Sequence, residues 1–485
     1  MTDTITIQPP SATDTAPGPE LRRWWILASL GIAQSMLIID VTVLNVALPS
    51  IGDALRLDRA GLTWIATAYT LFFGSLLLLG GRLSDAFGRR RTFLVGLGLF
   101  TAASLSSGLA PDGTILLASR IAQGIGAALL SPAALSIVTT TFDGSERTRA
   151  LAVWAALSGA GAAVGVVLGG VLTTGIGWQW IFFINVPIGL AVIVAVMRLV
   201  PAAPPPARIR YLDVPGALAA TATMAFLLYG LIGSGDSGWT SISVIGPIGL
   251  AAAAAAIFIR LERGALSPLV RLDLLARGPL RGALPVTLTA TALLAGSFFL
   301  ASLYLQRVIG LSAIEAGLAF LPAALGIIVG AQAGAHALDA LGPRSVGAFA
   351  LLVSAIGARL LAEVPIGGDA VGDVIPGLSI LALGLGAALV TANASAFVGV
   401  TDDDAGMTSG AVSTTHELGF ALGVSVISTV AGASLAGHAG LAGGGIAGYQ
   451  AGFMVAALVA LIGAGLAFHL LPRERPMLAG RLFAH

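Results

Sequence analysis

The sequence predicts an all-α integral membrane protein with about fourteen transmembrane helices, grouped six, two and six. Three observations predict it. The 485 residues are 56% hydrophobic and only 10% charged, where a soluble protein has about 25% charged residues. The chain breaks into about fourteen apolar segments, each near the roughly 20 residues needed to cross a hydrocarbon core. Finally, the arginines fall on alternate connections between those segments.

Residues 1–23 are polar and proline-containing and read as a disordered cytoplasmic tail. Arg22 and Arg23 flank a first span at 25–47. Spans at 62–80, 92–110, 114–139, 149–172 and 180–200 complete an N-terminal six-helix bundle over 24–200. PAAPPPARIR (201–210) is the clearest linker. Residues 201–280 hold it and two extra spans, 214–233 and 242–260. After a second arginine-bearing break come spans at 281–305, 314–334, 346–363, 374–398, 408–434 and 448–471. They form a C-terminal six-helix bundle over 281–472, and 473–485 is a second cytoplasmic tail. With the termini inside, twenty arginines lie on inner segments and four (Arg56, Arg59, Arg307, Arg359) on outer loops. Arg120 falls within a span. That is the asymmetry of the positive-inside rule, and it places both termini in the cytoplasm of a multi-pass cell-membrane protein.

Composition also excludes. There is no cysteine and no lysine, so thiolate metal sites, Walker A phosphate loops and Schiff-base chemistry are ruled out. A net charge of +1 offers nothing to nucleic acid. GDSG (235–238) matches a serine-protease motif, but every histidine lies downstream of it, against the order that motif requires. No metal-ligand cluster or nucleophile–base pair is visible. The expectation is a protein that is not an enzyme and has no cofactor.

Four stretches carry chemistry. GRLSDAFGRRR (81–91) follows the second span; Gly81 and Gly88 permit a tight turn, and Asp85 is placed to cap a helix or pair with Arg89. GAHALDALGPR (334–344) echoes it, with Asp339 and Gly342 keeping the three-residue step of Asp85 and Gly88. In SRIAQGIGAALLSPAALS (119–136), Arg120, Gln123, Gly124, Ala127 and Ser131 share one helical face. An intramembrane arginine faces a cavity or a partner rather than lipid. In SGAGAAVGVVLGG (158–170), Gly161, Gly165 and Gly169 line one face and let another helix approach closely.

Two acids lie within spans, Asp40 and Glu417. Asp40 is about 15 residues into an outward-running helix, roughly 23 Å from the inner face and about 7 Å below the outer one. Arg120 is about 6 residues into an inward-running helix, roughly 9 Å below the same face. The two are expected to be partners, as a proton site or as a static bridge between helices. Glu417 lies near mid-membrane beside His416, suited to a second proton or a cationic ligand. Gln34, Trp64, Tyr69, Gln123 and Trp154 are the expected cavity residues. An aromatic, mostly apolar cavity suits small amphipathic organic molecules.

These motifs together resemble the major facilitator superfamily. The 81–91 loop resembles its signature loop. The Arg-x-x-Gln-Gly-x-Gly run resembles its fourth-helix motif, in which the resemblance gives the arginine a part in proton coupling. DVTVLNVALP (40–49), LYLQRVIGLSAIEAGLAFLP (303–322) and GMTSGAVSTTHELGFALGVSV (406–426) resemble fourteen-helix drug:proton antiporters of the EmrB/QacA type. Two departures stand out: Val166 where those exporters carry proline, and Gln179 where they carry arginine. The resemblance implies two six-helix halves rocking about a central site, with proton coupling at Asp40, Arg120 and Glu417. Conformational gating then falls to Gly81, Asp85, Gly88, Arg89, Gly161, Gly165 and Gly169. It implies a monomeric protein whose partners are protons, lipid and a small amphipathic substrate, exported by drug:proton antiport. A proton symporter or facilitator for a metabolite, or a membrane sensor that no longer transports, are the alternatives.

Overall fold

A computed structural model of the chain describes residues 19–142, 144–201, 213–265, 268–270, 278–365, 367–400, 402–437 and 444–473. Most of the expected tails (1–18 and 474–485) and the PAAPPPARIR linker after residue 201 lie outside the described residues, as do Arg208, Arg210, Arg271 and Arg277.

The described residues are all-helical. The helices are α1 (Pro19–Leu55), α2 (Arg59–Phe87), α3 (Arg89–Gly108), α4 (Gly113–Thr141), α5 (Gly144–Gly175), the short α6 (Trp180–Phe183) and α7 (Asn185–Leu199). Then come α8 (Val214–Ser237), α9 (Ile242–Gly264), α10 (Gly278–Arg307), the short α11 (Ala313–Ala319) and α12 (Leu321–Leu361). A π-turn at Ala370–Val374 leads into α13 (Ile375–Ala396), and α14 (Asp402–Gly437) and α15 (Gly444–Leu470) close the chain. Ten helical segments are long and apolar enough to cross a membrane. The expected count was about fourteen. α3, α5 and α14 are not among these ten, and one segment of the ten runs 49 residues, from Ala313 to Leu361.

That long segment is broken by a glycine. Gly342 has φ 74°, a conformation an L side chain resists, and it divides α12. Gly88, between α2 and α3, has φ 94°. The two glycines of the echoed motif thus make similar turns. The arginine two residues past each one then does similar work. Arg90 Nη2 donates to Met197 O at the end of α7 (2.7 Å), and Arg344 donates to Leu471 O at the end of α15 (3.3 Å). A cation satisfying the last carbonyls of a helix also meets the negative end of its dipole.

Two expectations for this motif are corrected. Gly81 makes no turn: α2 runs on to Phe87, and only Gly88 breaks it. Asp85 and Arg89 are both exposed, and among the described residues no ion pair joins them. The bend at Gly88 is backbone geometry and needs no side-chain clasp.

Helices α2, α3 and α4 pack together, with α1 on α5 and α3 on α7; in the second half α10 packs on α13, α14 and α15, and α12 on α13 and α15. The halves meet along two seams, α2 against α14 and α5 against α11 and α12, and α1 also touches α10 between them. The α8–α9 pair leans on the first seam. Thr221 Oγ1 donates to Ser75 Oγ on α2 (3.1 Å), and Thr429 Oγ1 on α14 donates to Leu231 O (2.7 Å).

Candidate functional site

Two neighbouring features make up the site. The first is a cavity of about 480 Å³ between the halves, within the size range of small-molecule sites. Its walls are mostly apolar, with Phe298 and Phe320 stacked at 5.0 Å between ring centres. Glu417 and His416 are its acidic and basic lining residues, with His416 Nδ1 3.5 Å from Glu417 Oε1. Gly74 of α2 lies against Glu417 Cβ, so the absence of a side chain there lets α14 bring the carboxylate to the cavity. Asn393 and Ser413, toward the arginine-rich face, are exposed, while Val46 at the other end is buried.

That other end is tied shut. Pro49 lacks the N–H that would bond to Asn45 O inside α1. Ser302 Oγ of α10 donates to this freed carbonyl (2.7 Å), and Gln306 Nε2 donates to Val46 O (2.9 Å). The DVTVLNVALP and LYLQ stretches therefore meet across the halves. Arg307 and Asp53 add an exposed pair at 3.6 Å.

The second feature lies behind the wall of the cavity. Asp40 and Arg120 are 3% and 1% exposed, and neither lines the cavity. Arg120 Nη1 donates to Asp40 Oδ2 and to Gln123 Oε1 (2.9 Å). Its Nε donates to Ile65 O at 3.4 Å. Gln123 Nε2 donates to Asp40 Oδ1 (3.1 Å) and Ser104 Oγ (2.9 Å). Asn185 Nδ2 donates to the same two oxygens, at 3.2 and 3.4 Å. The carboxylate thus accepts three hydrogen bonds and faces a cation, which offsets its removal from water. The Tyr69 ring lies 4.6 Å from the guanidinium carbon, within cation–π range. Tyr69 also lines the cavity, so it touches both cavity and ion pair, beside Leu37 and Val41 of α1.

Glycines bring these helices close. A Cβ at Gly124 would stand 2.5 Å from Tyr69 O, so α4 rests directly on α2 one turn from Arg120. A Cβ at Gly161 would lie 3.4 Å from Ser35 Cα, one at Gly165 3.2 Å from Ile39 Cα, and one at Gly169 3.0 Å from Val43 Cα. The stripe on α5 therefore clasps α1 on both sides of Asp40. α5 is one unbroken helix through Val166, and Gln179 sits at the N-cap of α6 without a side-chain bond to it.

Of the five expected cavity residues, Gln34 and Tyr69 line the cavity and three do not. Gln123 is fully buried in the Asp40 network. Trp64 faces α8, 6.3 Å from Tyr229. Trp154 packs on the core of the first half. Sequence reasoning missed Asn185, Ser104 and the Phe298–Phe320 stack. The available signal for Asn185 was a lone amide in the apolar run FFINVPIG.

A sequence profile of the Major Facilitator Superfamily matches residues 30–424. A puromycin resistance protein of Streptomyces alboniger is 36% identical over 466 residues, covering 94% of this chain and 92% of that one. A cephamycin export protein of Amycolatopsis lactamdurans is 36% identical over 411 residues, covering 84% of each. Among solved structures, an inward-facing, occupied bacterial homologue of the human lysosomal transporter Spinster matches with TM-score 0.64. It is 17% identical and covers 93% of this chain and 97% of that one.

Proposed function

The chain belongs to the major facilitator superfamily, and from that premise we propose that it exports amphipathic natural products or drugs in exchange for protons. The single observation that carries the reading is the arrangement of cavity and ion pair. A mostly apolar, aromatic cavity lined by a carboxylate adjoins a buried Asp40–Arg120 pair, and Tyr69 touches both. Relatives named for resistance or export extend the reading to efflux.

The mechanism follows from burial. A carboxylate cut off from water binds a proton more readily, and a nearby cation opposes this. Rocking of the two halves about the cavity changes both influences together. Asp40 then takes a proton from one side and yields it to the other as Arg120 moves relative to it. Glu417, beside His416, is the second coupling group or the contact for a cationic substrate. The glycines of α5, with Gly88 and Gly342, are the close-packing and turning points that let helices move as rigid rods.

The same reading gives fourteen crossings of the EmrB/QacA type, as six, two and six. Gly342 splits α12 into two of them, and α3, α5 and α14 join the more apolar helices. The bundles are 24–200 and 281–472, with 201–280 between them. The arginine-rich face is cytoplasmic, as are both termini, and the protein works as a monomer in the cell membrane.

Reconstituted vesicles test this. With an imposed pH gradient, puromycin or an aromatic dye should move against the proton flow, and its addition should discharge the gradient. Movement in the same direction as protons would indicate symport; no movement of any probe with any gradient would sink the transport reading.

A further inference from the structure

Asp40 must change charge to carry a proton, and its surroundings are built of donors. Arg120 and Gln123 of α4 and Asn185 of α7 all donate to it. Tyr69 of α2 and Ser104 of α3 complete the polar groups around the pair. Arg120 is the cation facing it, and Glu417 of α14 is the next carboxylate, at the cavity Tyr69 borders. This set suits the carboxylate. A protonated Asp40 becomes a donor itself and needs an acceptor.

Among the described residues the acceptors nearby are occupied, with two exceptions, Tyr69 OH and Asn185 Oδ1. Gln123 Oε1 accepts from Arg120 and from Ser107 Oγ (3.3 Å). Ser104 Oγ accepts from Gln123 and Asn185. Tyr69 OH has no partner, but it makes no hydrogen bond to Asp40. Asn185 Oδ1 is buried, has no partner, and belongs to a residue already 3.2 Å from Asp40 Oδ1. An unpaired buried acceptor is costly and calls for a reason.

We propose that Asn185 is the positioning residue that lets Asp40 change charge, by turning its carboxamide over. With Asp40 ionised, Nδ2 donates to the carboxylate, as observed. When a proton from cavity water bonds to Asp40 Oδ1, a half-turn of the amide exchanges its two ends, which are nearly equal in shape. Oδ1 then lies where Nδ2 was, in reach of the new Asp40 O–H and of the Ser104 hydroxyl, whose hydrogen is free to point to it. On release the proton returns to water and the amide turns back. No other covalent bond changes. Gln123 cannot do this, since turning it would break its bond from Arg120.

This inference rests on Asp40 being the proton site, and one experiment separates the two. Infrared difference spectra of the full-length protein in detergent, titrated with acid, identify the Asp40 carboxylic band by its absence in Asp40→Asn. Asparagine labelled in its side-chain amide identifies the Asn185 band by its absence in Asn185→Leu. The expected result is an Asn185 band that moves with the same midpoint as the Asp40 band. In Asn185→Leu the Asp40 midpoint should shift by about one pH unit, a tenfold change in proton affinity, because a bond to the charged form outweighs one to the neutral form. Asn185→Ser, which keeps a donor and an acceptor, should shift it less and serves if the leucine variant does not fold. An Asn185 band that stays still while Asp40 titrates, or an unchanged midpoint in both variants, overturns the amide switch alone. Absence of any Asp40 band at any pH overturns Asp40 as the proton site, and the switch with it.

Discussion

Replacing Asp40 by Asn removes the countercharge that, among the described residues, faces a guanidinium only 1% exposed. What stays with Arg120 is Gln123 Oε1 at 2.9 Å, Ile65 O at 3.4 Å and the Tyr69 and Phe182 rings at 4.6 and 5.9 Å. All four are present before the change, so none is new compensation. Stranding one partner of a buried pair in this way costs roughly 3–5 kcal/mol. Arg120→Leu strands Asp40 instead, but Gln123 and Asn185 still donate to it, so the loss should fall near the lower end of that range. The double variant Asp40→Asn, Arg120→Leu buries no charge and should recover most of the loss. The two changes are therefore expected to be coupled by at least about 2 kcal/mol, at the upper end of contacting pairs. Chemical denaturation in detergent reads the stabilities, and proton-driven uptake in vesicles reads the function. Transport should be absent from all three variants, including the stable double one. A stable double variant that transports at the normal rate under a pH gradient would refute the reasoning, because the pair would then only hold α1 to α4.

Other outcomes follow from the same geometry. Glu417→Gln should lower efflux of a cationic dye about tenfold, the value of one charge-assisted hydrogen bond, and leave a neutral dye of similar shape unaffected; equal loss of both dyes in paired efflux assays would count against cation contact. Gly342→Ala forces an L side chain into φ 74° and should destabilise the protein by roughly 1–2 kcal/mol, seen as a lower melting temperature in detergent. Ser302→Ala combined with Gln306→Leu leaves the Asn45 and Val46 carbonyls without their partners from α10, at about 1–3 kcal/mol each. Because the chain has no cysteine, one introduced at Val46 gives a clean label, and its reactivity from the far face should rise in that double variant.

Much of the helix layout was legible because a bilayer asks one thing of every span, and apolarity over about 20 residues answers it. Depth was legible too: a fixed rise of 1.5 Å per residue put Asp40 and Arg120 on one level, and their side chains meet there. Facing was harder. Hydropathy does not say which side of an apolar helix turns toward a cavity, so Trp64 and Trp154 were assigned to a surface that they do not share. Gly81 read as a turn because glycine is a helix breaker in water; inside a membrane bundle it sits in a continuous helix, with Pro132 Cβ only 3.8 Å from where its own Cβ would be. Asn185 was illegible for a different reason. Its partners are 145 and 81 residues away in the chain, and no local spacing announces a network assembled from five helices.

The α8–α9 pair gives an otherwise paired bundle a front and a back. Two seams separate the halves, and α8 is bonded across one of them, to α2 and to α14. When those two helices part, what lies beyond them on that side is protein and not acyl chains. The seam between α5 and α11–α12 has no such cover among the described residues. A hydrophobic compound dissolved in the surrounding lipid therefore meets a wall on one flank and a bare joint on the other. Sideways access to the cavity, if a substrate uses it, has a single compass direction, set by two helices that contribute nothing to the cavity lining.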